Sequence, residues 1–237
     1  MSERFEIDST LLHDCLWLNC KLPESNLVKL TWGNASIYKN TSVAIKPSGV
    51  QFSMLEVNDI SLLNLADNKL HHGKKPSVDT PMHIEIYKFF PGIKAIIHTH
   101  STYATSWAQA GLPIPCMGTT HADHFMGEVP VIRHLEENEL ISDYEANLGK
   151  IVVEHFVDNN QSPEKMPAIL LRNHGCLVFG KTKEEALSNA IALEEVAHMA
   201  FNTKVLNNQM KTNTESDRLY NIHFERKHGN NKYYGQK

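Results

Sequence analysis

IKAIIHTHS, residues 93–101, sets two imidazoles one residue apart at the end of an otherwise apolar run. Ile96 and Ile97 mark the run as a strand that is buried in the interior. Successive strand side chains alternate faces, so His98 and His100 project together while Thr99 points the other way. Two imidazoles on one face at a strand end are placed to share a metal ion. They are equally readable as two half-exposed strand residues bonded to nearby backbone.

On either side of this strand the chain alternates helices and strands. TPMHIEIYKFF (80–90) reads as a helix with Pro81 near its first position, stopped by Pro91-Gly92, and TYATSWAQAG (102–111) as a helix closed by Gly111. Residues 5–21 carry Leu11, Leu12, Cys15, Leu16 and Leu18 at helical spacing and stop before Pro23. LVKLTWGNASIYK (27–39) and TSVAIKPSG (41–49) alternate and are rich in β-branched residues, giving two strands, the first broken at Gly33-Asn34. The stretch 68–79, with His71-His72, reads as a loop, VPVI (129–132) as a strand and residues 141–157 as a helix. PAILLRNHGCLVFG (167–180) reads as two strands joined by a turn at Asn173-His174-Gly175. A capping box from Thr182 to Glu185 opens a long helix. The pattern is α/β in one unit. The hairpin-linked neighbours favour a mixed or antiparallel sheet over a doubly wound parallel one.

Composition narrows the function classes. A chain of 237 residues, 41% hydrophobic, can bury one sizeable core, and a net charge of −4 offers no broad basic field for nucleic acid. Cys15, Cys20, Cys116 and Cys176 form no CxxC pair, the N-terminus lacks a signal-peptide pattern and no window is apolar enough to span a membrane, so a cytoplasmic protein is expected. The 14 histidines favour metal or acid–base chemistry. His174, in a glycine-containing turn, is a third candidate ligand for the His98–His100 pair. Asp79, before the Pro81 helix, is a fourth, although a helix N-cap is an alternative role. Three imidazoles and a carboxylate suit Zn²⁺, with Mn²⁺ or Co²⁺ as possible occupants. Spacing leaves open whether the four converge. Glu194 or Glu195 with His198 reads as a solvated polar stripe.

LTWGNAS, IKPSGV, KKPSVDTPMH, IIHTHSTYAT, GTTHADHFMG, NHG and the closing KYYGQ occur in an order that resembles the L-ribulose-5-phosphate 4-epimerases of the class II aldolase/epimerase superfamily. The resemblance runs from about residue 26 to the C-terminus. It implies a three-layer α/β/α single domain over residues 1–237 with a largely antiparallel sheet. It also implies a homotetramer with active sites between subunits, and a C-terminal tail (about 224–237) reaching a neighbour. His98, His100 and His174 would be zinc ligands with Asp79 at the carboxylate position. Asp123 and Tyr234, the latter from the neighbouring subunit, would carry protons.

By the same resemblance a sugar phosphate would be held by Ser48, Gly49, Ser77 and the backbone of Val78, with Gly33 and Asn34 at the sugar. Ser48 and Ser77 offer hydroxyls and Gly49 lets a backbone N–H approach, neutral donors that suit a dianion. Val78 stands where many members of the family have a second serine. Lys46, Thr119, Glu145 and His223 would lie around the substrate, with His223 supplied by the neighbour; Lys46 reads equally as a surface lysine. The resemblance implies inversion at C4 of L-ribulose 5-phosphate, with a class II sugar-phosphate aldolase or a metal-free module like the adducin head as alternatives.

Overall fold

The molecule, a computed structural model, describes residues 7–207, 217–230 and 232. Among these, seven strands form one sheet: β1 (Asn34–Lys39), β2 (Ser42–Ile45), β3 (Ser61–Asn64), β4 (Leu70–His72), β5 (Ala95–Thr99), β6 (Ala168–Leu171) and β7 (Gly175–Gly180). Their spatial order is β4-β3-β2-β1-β5-β7-β6, and every pairing is antiparallel. Hairpins make most of the connections, as the clustering of short strands suggested.

The helices are α1 (Ser9–Glu24), α2 (Thr80–Phe89), α3 (Thr102–Ala110), α4 (Thr119–Ala122), α5 (Glu137–Ile141), α6 (Tyr144–Asp158), α7 (Lys183–Asn207) and α8 (Asp217–His228). Both faces of the sheet are covered. Ser36 of β1 bonds His83 and Tyr87 of α2, at 2.7 and 2.9 Å. The preceding residue, Ala35, whose side chain faces the other way, exchanges backbone hydrogen bonds with the Asn19 side chain of α1, which packs against β1. Phe179, in cross-strand register with Ile96 and so with Ser36, meets Phe156 of α6, which puts α6 beside α2. Lys183 of α7 bonds Asp14 and lies over Trp17, holding α7 to α1. This α/β/α layering is the expected one.

Local departures have local causes. Leu30 and Gly33 take positive φ, 53° and 82°, so 27–33 turns and the strand starts only at Asn34. VPVI forms no strand: Val129 bridges Ile114 and Val131 bridges Leu170 around Pro130, which has no N–H to extend a ladder. The stretch expected as loop at 68–79 contains β4, an edge strand with largely exposed side chains and hence no apolar alternation. The helix expected at 141–157 is α6, entered through Asp143 at φ 51°. No helix among the described residues is long and apolar enough to cross a membrane.

Candidate metal centre and substrate cradle

His98 lies on β5 directly opposite Asn34 of β1, with Leu177 of β7 on its other side. Buried at the end of the ladder, its Nδ1 meets the Cys176 carbonyl at 3.0 Å. A carbonyl only accepts, so Nδ1 carries the proton and Nε2 its lone pair. That Nε2 stands 3.1 Å from Nε2 of His100, which follows the strand's last residue. His174 completes the group from the turn between β6 and β7, where Asn173 at φ 60° reverses the chain and the His174 N–H reaches the Leu171 carbonyl at 2.9 Å. The three ring centroids are 4.9–5.0 Å apart and one nitrogen from each ring lies within 4.8 Å of the others. Zn–N bonds of about 2.0–2.1 Å at tetrahedral angles set neighbouring nitrogens about 3.3 Å apart, so these residues fit a divalent cation.

Burial, reinforced by the neighbouring imidazoles, holds His174 down to about 4 and lowers His100 as well. Those two rings are therefore neutral at pH 7 and have lone pairs to donate. Asp79 precedes α2 in the N-cap position, yet its carboxylate caps no helix N–H. Instead Oδ2 accepts from Asn34 Nδ2 at 2.7 Å and from the Ser77 hydroxyl at 3.3 Å. Burial pushes this carboxyl up, but His98, His83, the Asn34 amide and His174 together outweigh it, leaving it below its ordinary value. Its oxygens are outside the tight imidazole cluster, so Asp79 borders the three nitrogens as a neighbouring anion.

Asn34 links this group to a second one. Its amide also donates to Ser77 Oγ at 3.1 Å, while its own Oδ1 is buried without a partner among the described residues, an acceptor available to a ligand hydroxyl. The two KPS stretches lie side by side: Pro47 bridges Pro76, the Ser48 N–H reaches the Lys75 carbonyl and the Ser77 N–H the Lys46 carbonyl. Ser48, Gly49 and Val78 are exposed at the rim. Lys46, readable from sequence as a surface residue, is 2% exposed, with its ammonium over the Phe52 ring and its pKa lowered by burial.

Two glycines shape the strand end. A Cβ on Gly33 would sit 2.6 Å from the His98 carbonyl oxygen, and one on Gly175 would sit 2.5 Å from that of Thr99.

Asp123 and His223 meet elsewhere. His223 of α8 donates from Nδ1 to Asp123 Oδ1 at 3.1 Å, and Arg226 grips both carboxylate oxygens, at 3.1 and 2.7 Å. Burial acts to raise the Asp123 carboxyl, but Arg226, Lys227 and His223 hold it below the ordinary value. Here His223 contacts Asp123 of its own chain. Thr119 starts α4, one turn before Asp123. Among the described residues no hydrogen bond joins this cluster to the imidazoles. Tyr234 and the KYYGQ motif fall, except for Lys232, outside the described residues.

Sequence reasoning passed over Tyr144, whose hydroxyl is 3.4 Å from Nδ1 of His174. It starts α6 immediately before Glu145, the residue the motifs had picked out. Only proximity in the fold gives it away.

Residues 14–201 match the family model described as Class II Aldolase and Adducin N-terminal domain. The chain belongs to the class II aldolase/adducin family. Among solved structures, an L-fuculose 1-phosphate aldolase is 26% identical with a TM-score of 0.75, covering 92% of this chain and 98% of its own. YgbL from Escherichia coli, a putative aldolase/epimerase/decarboxylase, is 21% identical with a TM-score of 0.69, over 91% and 100% of the two chains. A sugar-phosphate aldolase from Thermotoga maritima is 20% identical with a TM-score of 0.65, over 86% and 97%. The imidazole cluster thus belongs to a class II aldolase fold.

Proposed function

We propose that this chain is a divalent-metal-dependent 4-epimerase that interconverts L-ribulose 5-phosphate and D-xylulose 5-phosphate. The observation that carries the reading is the convergence of His98, His100 and His174 next to the two KPS stretches, linked through Asn34. Zn²⁺ suits the three imidazoles, with Mn²⁺ or Co²⁺ as alternatives.

The hydrogen on C4 of a 2-ketopentose is not adjacent to the carbonyl, so simple deprotonation cannot invert that centre. Cleavage of the C3–C4 bond gives an enediolate and glycolaldehyde phosphate, and recombination on the aldehyde's other face inverts C4. A cation held by the three imidazoles would supply Lewis acidity where negative charge develops. Ser48, the Gly49 backbone, Ser77 and the Val78 backbone hold the phosphate, with buried Lys46 adding charge, and Asn34 orients the sugar beside Gly33. Asp123 and Tyr234 exchange the C4 hydroxyl proton on opposite faces. The grip of Arg226 keeps Asp123 ionised, which suits a proton acceptor. Thr119 and Glu145 complete the surroundings, and a homotetramer would bring Tyr234 from a neighbouring subunit.

The likeness to L-fuculose 1-phosphate aldolase favours a second reading, an aldolase that releases its aldehyde. By the resemblance, aldolases of this kind usually carry a glutamate where this chain has Asp79, so an aspartate there together with Asp123 weighs toward inversion. A metal-free interaction module has no use for three converging imidazoles. Incubating metal-loaded protein with L-ribulose 5-phosphate separates the readings. The C4 epimer without trapped aldehyde supports the epimerase, stoichiometric aldehyde overturns it in favour of an aldolase, and inertness with no bound metal points to the module.

A further inference from the structure

We infer that Glu194 of α7 is a positioning residue for the imidazole cluster, acting through helix α3; the inference rests on the metal-site reading above. His100 is the exposed member of the cluster, lying between the last ladder pair of β5, Thr99 with Cys176, and the first residue of α3, Thr102. Its place is set by what anchors α3.

The first N–H groups of a helix have no partner inside it and usually take one from the N-cap side chain. Ser101 occupies that position, but its hydroxyl makes no capping bond. Glu194 takes over from across the interface. Its two carboxylate oxygens accept from the Tyr103 N–H at 2.8 Å and the Ala104 N–H at 3.0 Å. A bidentate carboxylate at the positive end of the helix is a stronger and more directional tether than a neutral cap.

The other end of α3 holds the second half of the site. The Ala108 carbonyl accepts the N–H of Asn173, the residue before His174, at 3.0 Å. One short helix therefore spans from the His100 exit to the His174 turn, and Glu194 fixes its start. The general packing of α3 on α7 has independent support. Trp107 Nε1 donates to the Ala197 carbonyl at 3.0 Å, and Tyr103 stacks on His198 with ring centroids 3.8 Å apart. Losing the Glu194 carboxylate leaves those contacts and frees the first turn beside His100.

The test measures Co²⁺ and Zn²⁺ affinity, the ligand-field absorption of bound Co²⁺, and metal-free thermal stability. It compares the unmodified protein with Glu194→Ala, Glu194→Gln and, as a control, Glu195→Ala. Wild-type binding with a tetrahedral cobalt spectrum establishes the metal reading; its absence removes that reading and this inference with it. Given wild-type binding, Glu194→Ala is expected to weaken metal affinity about 10-fold or more and to alter the cobalt spectrum, the range typical of lost outer support for a ligand. Glu194→Gln, which keeps an acceptor without the charge, should fall between, and Glu195→Ala should match wild type. Should Glu194→Ala fail to fold, the isosteric Gln variant decides. Wild-type affinity and spectrum in whichever Glu194 variant folds, with only the melting temperature lowered, would leave Glu194 a packing residue and overturn the inference.

Discussion

Gly175 packs directly against His100: a Cβ built on Gly175 would stand 3.0 Å from Cδ2 of that ring as well as 2.5 Å from the Thr99 carbonyl oxygen. The obstacle is partly backbone and cannot swing away. Gly175→Ala should push the end of β5 off its position, lowering metal affinity and destabilising the fold by about 1–3 kcal/mol. Metal titration and urea unfolding together check this; wild-type values in both would show that the strand end yields freely.

His98 is held by the Cys176 carbonyl with its Nε2 turned toward the other imidazoles. His98→Asn is expected to lower bound metal and turnover in parallel, measured by elemental analysis and C4-epimer formation. Unchanged metal content would remove His98 from the ligand set.

Protonation of His121 sets a pH limit on stability. The ring is buried, Nε2 donates to the Gly127 carbonyl at 2.7 Å, and Nδ1 has no partner among the described residues. Burial first, with His124 adding to it against the pull of the Gly127 carbonyl, depresses the pKa to about 4. The unfolded chain therefore takes up a proton near pH 6.5 that the native state refuses. The associated stability is present above that pH and is lost as pH falls toward 4, about 2 kcal/mol between pH 7 and pH 5. Unfolding free energies at the two pH values should show this loss in wild type and a smaller one in His121→Gln; equal losses would acquit His121.

Val78 is 58% exposed at the rim of the phosphate cradle. Val78→Ser adds a hydroxyl donor for a dianion, worth about 1.5 kcal/mol or roughly 10-fold. The KM for the phosphorylated substrate should fall by about that factor with kcat little changed. No shift in KM would place the phosphate away from residue 78.

Tyr234→Phe should retain the metal and slow epimerisation by on the order of 10²-fold or more, the usual effect of losing one acid–base group. Full activity with normal metal content would exclude the phenol from proton transfer.

How much of this was legible depends on the range over which each signal acts. The β5 strand, the Pro81 helix and the Asn173 turn stand where local patterning put them, since two-residue and helical periodicities are properties of neighbouring residues. Glu185 shows the limit of a local rule. Its N–H does meet Thr182 Oγ1, at 3.1 Å, but its carboxylate closes on the Lys181 N–H and not on the Thr182 N–H of a full box. β4 was missed because both its faces are largely exposed, and α8 because its sequence is mostly polar and its anchors, Asp123 and the α4 region, are distant in the chain.

Sequence alone determined that His98 sits at the end of a buried apolar strand with a second imidazole two residues on, because that pattern is a property of neighbouring residues. Only the tertiary structure decided that His174 and Asn34 meet them, that Asp79 turns from its helix toward Asn34, and that Glu194, readable as a solvated stripe, ties down α3. Those outcomes depend on strand order and helix packing, which are set by the burial of the whole core and leave no mark on the spacing of any single segment.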